Sequence, residues 1–354
     1  MSSMTGNKIK ISVFGQSHSK GIGVVIDGLP AGKKIDMDKV TAFMERRAPG
    51  RNSLSTQRKE SDKPEILSGL VNGMTCGAPL CMVIYNENYN SADYSNIMDT
   101  PRPSHADYSA NVKYNGFNDV SGGGHFSGRL TAPLCFAGAV CMQFLEDMEI
   151  EIQAHIQKIK NVYDDKIDLV NIGKWNTKEK EFPVINDEKG KMMIAEIEKA
   201  KENGDSVGGV IECAVTGVKA GFGDPMFDGV ENQLAKNIFG IPAVKGVEFG
   251  NGFEATDLYG SENNDDFCIT DGEIKTATNN SGGINGGITN GMPIVFRTAI
   301  KPTPSIFKEQ NSVSLANKTE EKLQIKGRHD PCIVQRAVPV VEAVTAITLL
   351  DIII

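Results

Sequence analysis

Residues 129–148 read RLTAPLCFAGAVCMQFLEDM, and this stretch decides the fold. Apolar side chains fall on nearly every face of a helix built from it, so the helix is predicted to be buried on all sides. Short strand-like segments rich in β-branched residues occur on both sides of it in the chain. They lie at 8–13, 23–26, 80–85, 150–159, 207–215 and 292–298. Strands and helices do not alternate steadily, which favours an α+β or α/β sandwich with helices buried between sheets.

Three further helices are predicted around this central one. Asp36 is a suitable N-cap for a helix over 37–47, and a second helix spans 229–239. A third runs from about Pro339 to the end of the chain. Its apolar sequence is interrupted by Glu342 and Asp351, so it is predicted as a buried helix and not a membrane span. The last eight residues are expected to lie in a subunit contact.

The sequence also contains an internal resemblance between its two ends. GMTCGAPL at 73–80 resembles GITNGMPI at 287–294, and GLPAG at 28–32 resembles GVKAG at 217–221. These pairs predict one domain over 1–354 with two repeat-like halves, roughly 1–148 and 205–354, and a loop-rich insertion at about 160–191. Chance similarity of glycine-rich turns is the alternative.

Composition excludes several classes of protein. The chain has 354 residues, 40% of them hydrophobic and 23% charged, which is the balance of a soluble globular protein. A net charge of −8 disfavours nucleic acid and membrane surfaces as partners. The seven cysteines form no CxxC pair and no set with metal-ligand spacing, which indicates reduced thiols in the cytoplasm and no metal site. His155 lies in an alternating strand and is predicted to be structural.

Arginine is concentrated in three windows, 46–58, 102–129 and 328–336, which hold eight of the nine arginines. The planar guanidinium group binds carboxylate and phosphate with two parallel hydrogen bonds, whereas lysine serves as a point charge. An otherwise acidic chain is therefore predicted to hold a local pocket for an anionic ligand. Structural pairs between arginine and carboxylate are the alternative.

Histidines and glycines accompany these arginines. His105, His125 and His329 fall in the same windows, and His18 follows the first strand. The segment SGGGHFSGR at 121–129 leads into the buried helix, where backbone N–H groups and the helix N-terminus favour an anion. The residues alone indicate an enzyme that acts on a small phosphorylated or carboxylated substrate with histidine as acid or base. A non-catalytic anion-binding or regulatory protein is the alternative.

A series of motifs in this order resembles the chorismate synthase family over nearly the whole chain. The motifs are FGQSHS (14–19), IDGLPAG (26–32), RRAPG (46–50), STQRKE (55–60), RPSHADY (102–108), GGGHFSGR (122–129), AVKG (243–246), GGINGG (282–287), GRHDP (327–331) and RAVP (336–339). The resemblance implies a β-α-β sandwich and the last step of the shikimate pathway. In that step a carbon–oxygen lyase converts 5-enolpyruvylshikimate-3-phosphate to chorismate and phosphate by anti-1,4 elimination. Reduced FMN is required, although no net redox change occurs.

The resemblance also implies roles for individual residues. His18 is expected to donate a proton to the reduced flavin, His105 to assist the departing phosphate, and Asp330 to take part in removing the proton from flavin N5. The implied cofactor-binding residues are His125, Phe126, Ser127, Gly286, Lys301, Pro302, Thr303, Pro304, Ser305 and Arg328. The implied substrate-binding residues are Ser17, Arg47, Arg51, Arg129 and Arg336.

Some positions depart from the family pattern. His125 and Phe126 stand where arginine and serine are usual, Ser53 replaces a second arginine, and Pro242 replaces an asparagine. We hypothesise that a protonated His125 replaces the lost arginine in binding an anion. The enzyme is expected to be a cytoplasmic homotetramer with an external flavin reductant. Alternatives are a phosphatase or a flavin-binding regulator of the same fold, and a bifunctional form that reduces its own flavin with NADPH.

Overall fold

The computed structural model of the chain describes residues 3–50, 62–86, 99–325 and 330–354. Its first part forms short strands and three helices. The strands are β1 Met4–Thr5, β2 Lys10–Gly15, β3 Gly21–Asp27, β4 Glu65–Ser68, β5 Leu70–Val71, β6 Met74–Thr75 and β7 Leu80–Tyr85. The helices are α1 Met37–Arg47, α2 Asp107–Lys113 and α3 Thr131–Glu146. An antiparallel sheet in the order β1-β2-β3-β7-β4 presents apolar side chains of β2, β3 and β7 to the helices.

The second part contains a second five-stranded sheet, in the order β11-β16-β10-β8-β9, and four helices. The strands are β8 Glu151–Ile159, β9 Val162–Tyr163, β10 Gly209–Thr216, β11 Val244–Phe249, β12 Phe267–Thr270, β13 Glu273–Thr276, β14 Ile284–Asn285, β15 Ile288–Thr289, β16 Ile294–Ile300, β17 Gln310–Val313 and β18 Glu320–Leu323. The helices are α4 Asp187–Glu202, α5 Val230–Ile238, α6 Gly260–Asn263 and α7 Val334–Ile353.

The two sheets have the same internal order. Strands β2-β3-β7-β4 of the first sheet correspond to β8-β10-β16-β11 of the second. Helix α1 follows β3 as α5 follows β10, and the small hairpin β5–β6 precedes β7 as β14–β15 precedes β16. Each set of strands is followed by one long apolar helix, α3 or α7. This order is the one expected of two copies of a unit, while the residue limits of the halves stay a prediction.

Helices α3 and α7 pack against each other between the sheets, with α1 and α5 beside them. A Cβ atom on Gly138 of α3 would lie 2.3 Å from the Cα atom of Ala343 of α7, so only glycine permits this close approach. Helix α3, with the turn before it, has the length and apolar composition of a membrane span over Gly128–Glu146. However, 83% of that stretch is buried inside the chain, and we assign it as a core helix. The β-α-β sandwich is confirmed.

Three details of the sequence-based prediction are wrong. Helix α7 begins at Val334 and not near Pro339, because burial of Val334 and Val338 outweighs the backbone hydrogen bond that proline cannot make. Helix α4 was not predicted, although Asn186 caps it and Met193 and Ile197 lie buried on one face. Residues 347–351 at the end of α7 are buried within their own chain and not in a subunit contact, while a subunit contact of residues 352–354 stays a prediction.

Candidate active site

A cleft of about 1740 Å³ opens where the first residues of α3 and α7 meet. The two helices run in the same direction, since Arg47 contacts Thr131 and Arg336 near their starts and Gly138 meets Ala343 seven residues further along each. Both N-termini therefore add positive potential to the same end of the core. Polar side chains that line the cleft include Arg47, His105, Arg129, Lys301, Asp330 and Arg336. Apolar side chains that line it include Leu134, Val340, Val344 and Ile347.

The glycine turn before α3 adopts a backbone conformation that requires glycine. Gly122 and Gly123 have φ angles of 59° and 86°. A Cβ atom on Gly122 would lie 2.2 Å from Cε1 of His18, and one on Gly123 would lie 3.4 Å from Nε2 of His105. The absence of side chains in this turn thus allows both histidines to approach its backbone.

Ser17 and His18 are attached to this turn. The Ser17 amide donates to the Gly124 carbonyl at 3.1 Å, and the Ser17 hydroxyl donates to the Ser121 carbonyl at 2.9 Å. Because that hydroxyl proton is used, Ser17 Oγ accepts from Nδ1 of His18 at 3.0 Å. Both residues lie behind Gly122 and not on the cleft wall itself. This bonding places the ionisable Nε2 atom of His18 opposite the fixed Nδ1–H group.

His105 is held by a carboxylate. Its Nδ1 atom donates to Oδ1 of Asp107 at 2.5 Å, and Arg102 binds both oxygens of the same carboxylate, at 2.7 and 2.8 Å. Burial alone would raise the pKa of Asp107, but hydrogen bonds from Arg102 and His105 outweigh it and hold that pKa well below its ordinary value. Asp107 therefore stays ionised, and His105 lines the cleft with its Nε2 side next to Gly123.

Two of the arginines predicted to bind substrate share one buried carboxylate. Arg47 Nη1 donates to Oδ2 of Asp62 at 2.8 Å, and Arg129 Nη1 donates to Oδ1. Arg47 also donates from Nε to the Thr131 hydroxyl at 3.0 Å and from Nη2 to the Gly128 carbonyl at 3.2 Å. Both arginines are less than one-tenth exposed and line the cleft.

The third predicted arginine lies at the start of α7. Arg336 Nη1 donates to Oδ2 of Asp330 at 2.6 Å, and its Nε donates to the Arg47 carbonyl at 3.1 Å. The Asp330 carbonyl in turn accepts from the Thr303 hydroxyl at 2.9 Å. These bonds bring the predicted catalytic aspartate, two predicted substrate arginines and part of the 301–305 segment to one place.

Further residues that line the cleft come from the segment 301–305 and from the residues before α3. Lys301 Nζ donates to the carbonyl of Ser104, next to His105, and burial together with nearby Lys245 lowers the pKa of Lys301. Thr303 and Pro304 line the cleft, as do His125, Phe126 and Ser127. Pro302 continues the same segment, and Ser305 Oγ accepts from Arg102 at 3.3 Å.

Comparison with known proteins supports the chorismate synthase resemblance along nearly the whole chain. The sequence model of the chorismate synthase family matches residues 9–354. The chain is 45% identical to the chorismate synthase of Dehalococcoides mccartyi over 351 residues, which covers 99% of this chain and 96% of that one. It is 46% identical to the chorismate synthase of Pyrococcus abyssi over 349 residues, covering 98% and 96% of the two chains. The chain belongs to the chorismate synthase family.

A solved structure supports the same assignment. A crystal structure of a chorismate synthase superimposes with a TM-score of 0.78 at 30% identity, covering 98% of this chain and 92% of the other. The chorismate synthase family needs a flavin, and the cleft has the chemistry to hold one. Its apolar side chains suit a flavin ring, and the Lys301 ammonium suits a phosphate.

The structure does not bring every residue implied by the chorismate synthase resemblance to this cleft. Gly286 lies in the β14–β15 turn, where Gly287 accepts from the amide of Val230 at the start of α5. The cleft meets α5 at its other end, near Asn237, about 10 Å along the helix axis from Val230 at 1.5 Å per residue. Arg51 and Arg328 lie outside the described residues, as does His329. The flavin contacts of Gly286 and Arg328 stay predictions, and so does the substrate contact of Arg51.

His125 has both ring nitrogens engaged by the protein. Nδ1 donates to the Gly15 carbonyl at 2.7 Å, so in the neutral ring Nε2 accepts from the Ser3 hydroxyl, also at 2.7 Å. A bound anion would have to displace Ser3 to reach Nε2. The hypothesis that a protonated His125 binds an anion in place of the arginine that is usual in the family stays a prediction.

The sequence reasoning missed three members of the site. Arg102 and Asp107 were quoted only as part of a motif, although arginine clustering and the two-residue spacing from His105 pointed to them. Asp62 had no such signal, because its partners are distant in sequence. Arg46, by contrast, forms a structural pair with the fully buried Glu342.

His155 is structural, as predicted. It is fully buried, with Nδ1 2.9 Å from Asp164 and Nε2 3.0 Å from Glu212, and its ring meets Trp175 edge-on. Among the residues that the structure describes, no group of three or more histidine, cysteine, aspartate or glutamate side chains is arranged to hold a metal ion.

Proposed function

We propose that this member of the family catalyses the anti-1,4 elimination of phosphate from 5-enolpyruvylshikimate-3-phosphate to give chorismate, with reduced FMN bound in the cleft. One observation carries the proposal: His105 and the arginines Arg47, Arg129 and Arg336 converge on one cleft at the N-termini of α3 and α7. The substrate carries one phosphate and two carboxylates, which planar guanidinium groups bind in pairs of hydrogen bonds. Family membership and this convergence agree.

His105 is proposed to assist the departing phosphate. The ionised Asp107 fixes the proton on Nδ1, so Nε2 is the atom that meets a ligand at Gly123. A protonated Nε2 would donate a hydrogen bond, and then a proton, to the phosphate oxygen as the carbon–oxygen bond breaks. The arginines take up the negative charge that develops there.

His18 and Asp330 are proposed to move protons at the cofactor. His18 keeps its Nδ1 proton on Ser17, so its Nε2 atom is the group that gains or gives up a proton. Asp330 is held at 2.6 Å by Arg336, which orients its carboxylate as a proton acceptor near the 301–305 segment. Reduced FMN, when bound, supplies electron density that helps the phosphate leave.

The proposed cofactor contacts are residues of two segments and two further positions. They are His125, Phe126, Ser127, Gly286, Lys301, Pro302, Thr303, Pro304, Ser305 and Arg328. The apolar side chains along α7 support this placement because they exclude water from a flavin ring. Ser17 and Arg51 complete the proposed substrate set with Arg47, Arg129 and Arg336.

We also propose that the protein forms a homotetramer, from the family resemblance and from one exposed apolar hairpin. The hairpin β12–β13 exposes Phe267, Ile269 and Ile274 to 79%, 71% and 71%, which is costly unless another chain covers them. This supports a contact between copies, while the number four comes from the family resemblance. Light scattering with size-exclusion chromatography measures the assembly.

The remaining proposals concern the cellular compartment of the protein and the source of reduced flavin. All seven cysteines have free thiols, which supports a reducing compartment, and we propose the cytoplasm. An external reductant is proposed to supply reduced flavin. Oxidised FMN with NADPH tests the bifunctional alternative: NADPH consumption by the purified protein would contradict an external reductant.

The function is tested by an anaerobic assay with 5-enolpyruvylshikimate-3-phosphate and reduced FMN, oxidised FMN or no flavin. Chorismate is followed by absorbance and phosphate by a coupled assay. We expect equal amounts of both products with reduced FMN alone. Phosphate without chorismate, or turnover without flavin, would contradict the proposal in favour of a phosphatase.

A further inference from the structure

Asp62 is the only described carboxylate that Arg47 and Arg129 both contact, and each oxygen of it binds one guanidinium group. It is 5% exposed and lies behind the two arginines, which line the cleft while Asp62 does not. Two buried guanidinium groups in one place need a counter-charge, because desolvation makes an uncompensated buried charge costly. Asp62 supplies that charge and leaves the group of three with a formal charge of +1.

The Asp62 carboxylate also fixes the orientation of the two guanidinium groups. Arg47 uses three of its five N–H groups on Asp62, Thr131 and Gly128, which leaves two N–H groups for a ligand. Arg129 is bonded at Nη1 by Asp62 and at Nε by the side chain of Asn86, at 3.4 Å. A guanidinium group is planar, so these bonds fix its plane and the direction of its other N–H groups.

We propose that Asp62 is a positioning residue for substrate binding, which holds Arg47 and Arg129 in the orientation that binds the anionic groups of the substrate. This proposal rests on the proposed function of the cleft. It competes with a purely electrostatic role, in which Asp62 only reduces the positive charge of the pair. The two roles predict opposite effects on anion binding when the charge of Asp62 is removed.

Inorganic phosphate, a product of the proposed reaction, is the probe. Its binding to the purified protein is measured by isothermal titration calorimetry for wild type, Asp62→Asn and Asp62→Glu. Asp62→Asn keeps the shape, but its amide nitrogen faces a guanidinium donor, so one arginine turns away. We expect phosphate to bind about tenfold more weakly. Asp62→Glu keeps the charge and the compensation needed for folding but moves the carboxylate by one methylene, and we expect weaker binding here too.

The matched control is Asp164→Asn. This aspartate is also buried and paired, with His155, but it lies away from the cleft. Near-ultraviolet circular dichroism confirms that each variant is folded. We expect Asp164→Asn to lose stability while its phosphate affinity stays equal to that of wild type, which separates positioning from a general loss of structure.

Steady-state kinetics provides the second measurement. Misplacement of a binding group by about 1 Å costs on the order of 10²-fold in kcat/KM, and we expect most of this loss to be an increase in KM. Tighter phosphate binding by Asp62→Asn, phosphate affinity of Asp62→Glu equal to that of wild type, or no phosphate binding by wild type would each overturn the proposal. If wild type binds phosphate but forms no chorismate, the proposed function fails while the calorimetry still tests Asp62.

Discussion

Replacement of Gly122 by alanine is expected to inactivate the enzyme through His18. The added methyl group would lie 2.2 Å from Cε1 of His18, 2.3 Å from its Nδ1 and 2.7 Å from Oγ of Ser17. The ordinary limit of such a contact is about 3.4 Å, so the imidazole ring must move by about 1.2 Å. A displacement of about 1 Å at a reacting group costs on the order of 10²-fold in rate. Because we propose that His18 moves a proton at the cofactor, we expect kcat to fall by about this factor.

The matched control is Gly73→Ala in the β5–β6 turn. Gly73 also has a positive φ angle, 77° against 59° for Gly122, but a Cβ atom there meets nothing within 4 Å. Both variants therefore carry a backbone cost of about 1–2 kcal/mol, and only Gly122→Ala displaces a histidine. Thermal unfolding and the anaerobic chorismate assay are measured for both. Equal activity of the two variants at equal stability would refute this reasoning.

Three further predictions concern the core. Gly138→Ala forces α3 away from Ala343 of α7, and thermal unfolding should show a loss of at least 1–3 kcal/mol; an unchanged midpoint would contradict the close approach. Burial alone would lower the pKa of His155, but its bonds to Asp164 and Glu212 raise it. The stability advantage of wild type over His155→Gln should therefore be complete below about pH 6.5 and shrink as pH rises through the raised pKa; denaturant unfolding from pH 6 to 9 checks this, and a constant difference would argue against it. Asp351→Asn removes one of the carboxylate oxygens that accept from the amides of residues 7–9, so we expect a loss of about 1–3 kcal/mol in the same measurement, and a neutral effect would contradict it.

The elements that the sequence predicted well are those whose local pattern and burial agree. Asp36 caps α1 with bonds to the amides of Asp38 and Lys39, and 37–47 was the predicted range. Helix α3 was predicted because its apolar residues lie on all faces, which only a helix between two layers can bury. The local sequence was sufficient to predict both helices. The six predicted strands also begin and end within two residues of the observed strands.

Other features depend on contacts that no local pattern encodes. Proline favours the first turn of a helix, so the sequence predicted that α7 begins near Pro339. The helix begins earlier, at Val334, because the turn before Pro339 packs in the core. The partnership of Asp62 with Arg47 and Arg129 joins residues that only the fold brings together. The sequence predicted an arginine-rich anion site and left structural ion pairs as the alternative. The structural ion pairs are present, and the same arginines line the cleft, while the anion site itself stays a prediction.

With the substrate contacts that we propose for these arginines, their double use would explain how an acidic chain binds an anionic substrate. Four arginines at the cleft, Arg47, Arg102, Arg129 and Arg336, contact the carboxylates Asp62, Asp107 and Asp330, so the set carries a formal charge of only +1. Lys113, Lys236 and Lys301 also line the cleft and add positive charge to this set. Beside this charge, the favourable terms that we propose are N–H groups oriented by a carboxylate and the N-termini of α3 and α7. The repeated architecture brings both helix N-termini to the same cleft, since equivalent helices of two similar halves pack side by side in one direction. Groups fixed before the substrate arrives need no reorganisation as charge develops on the leaving phosphate, which is the condition under which electrostatic stabilisation of a transition state is most effective.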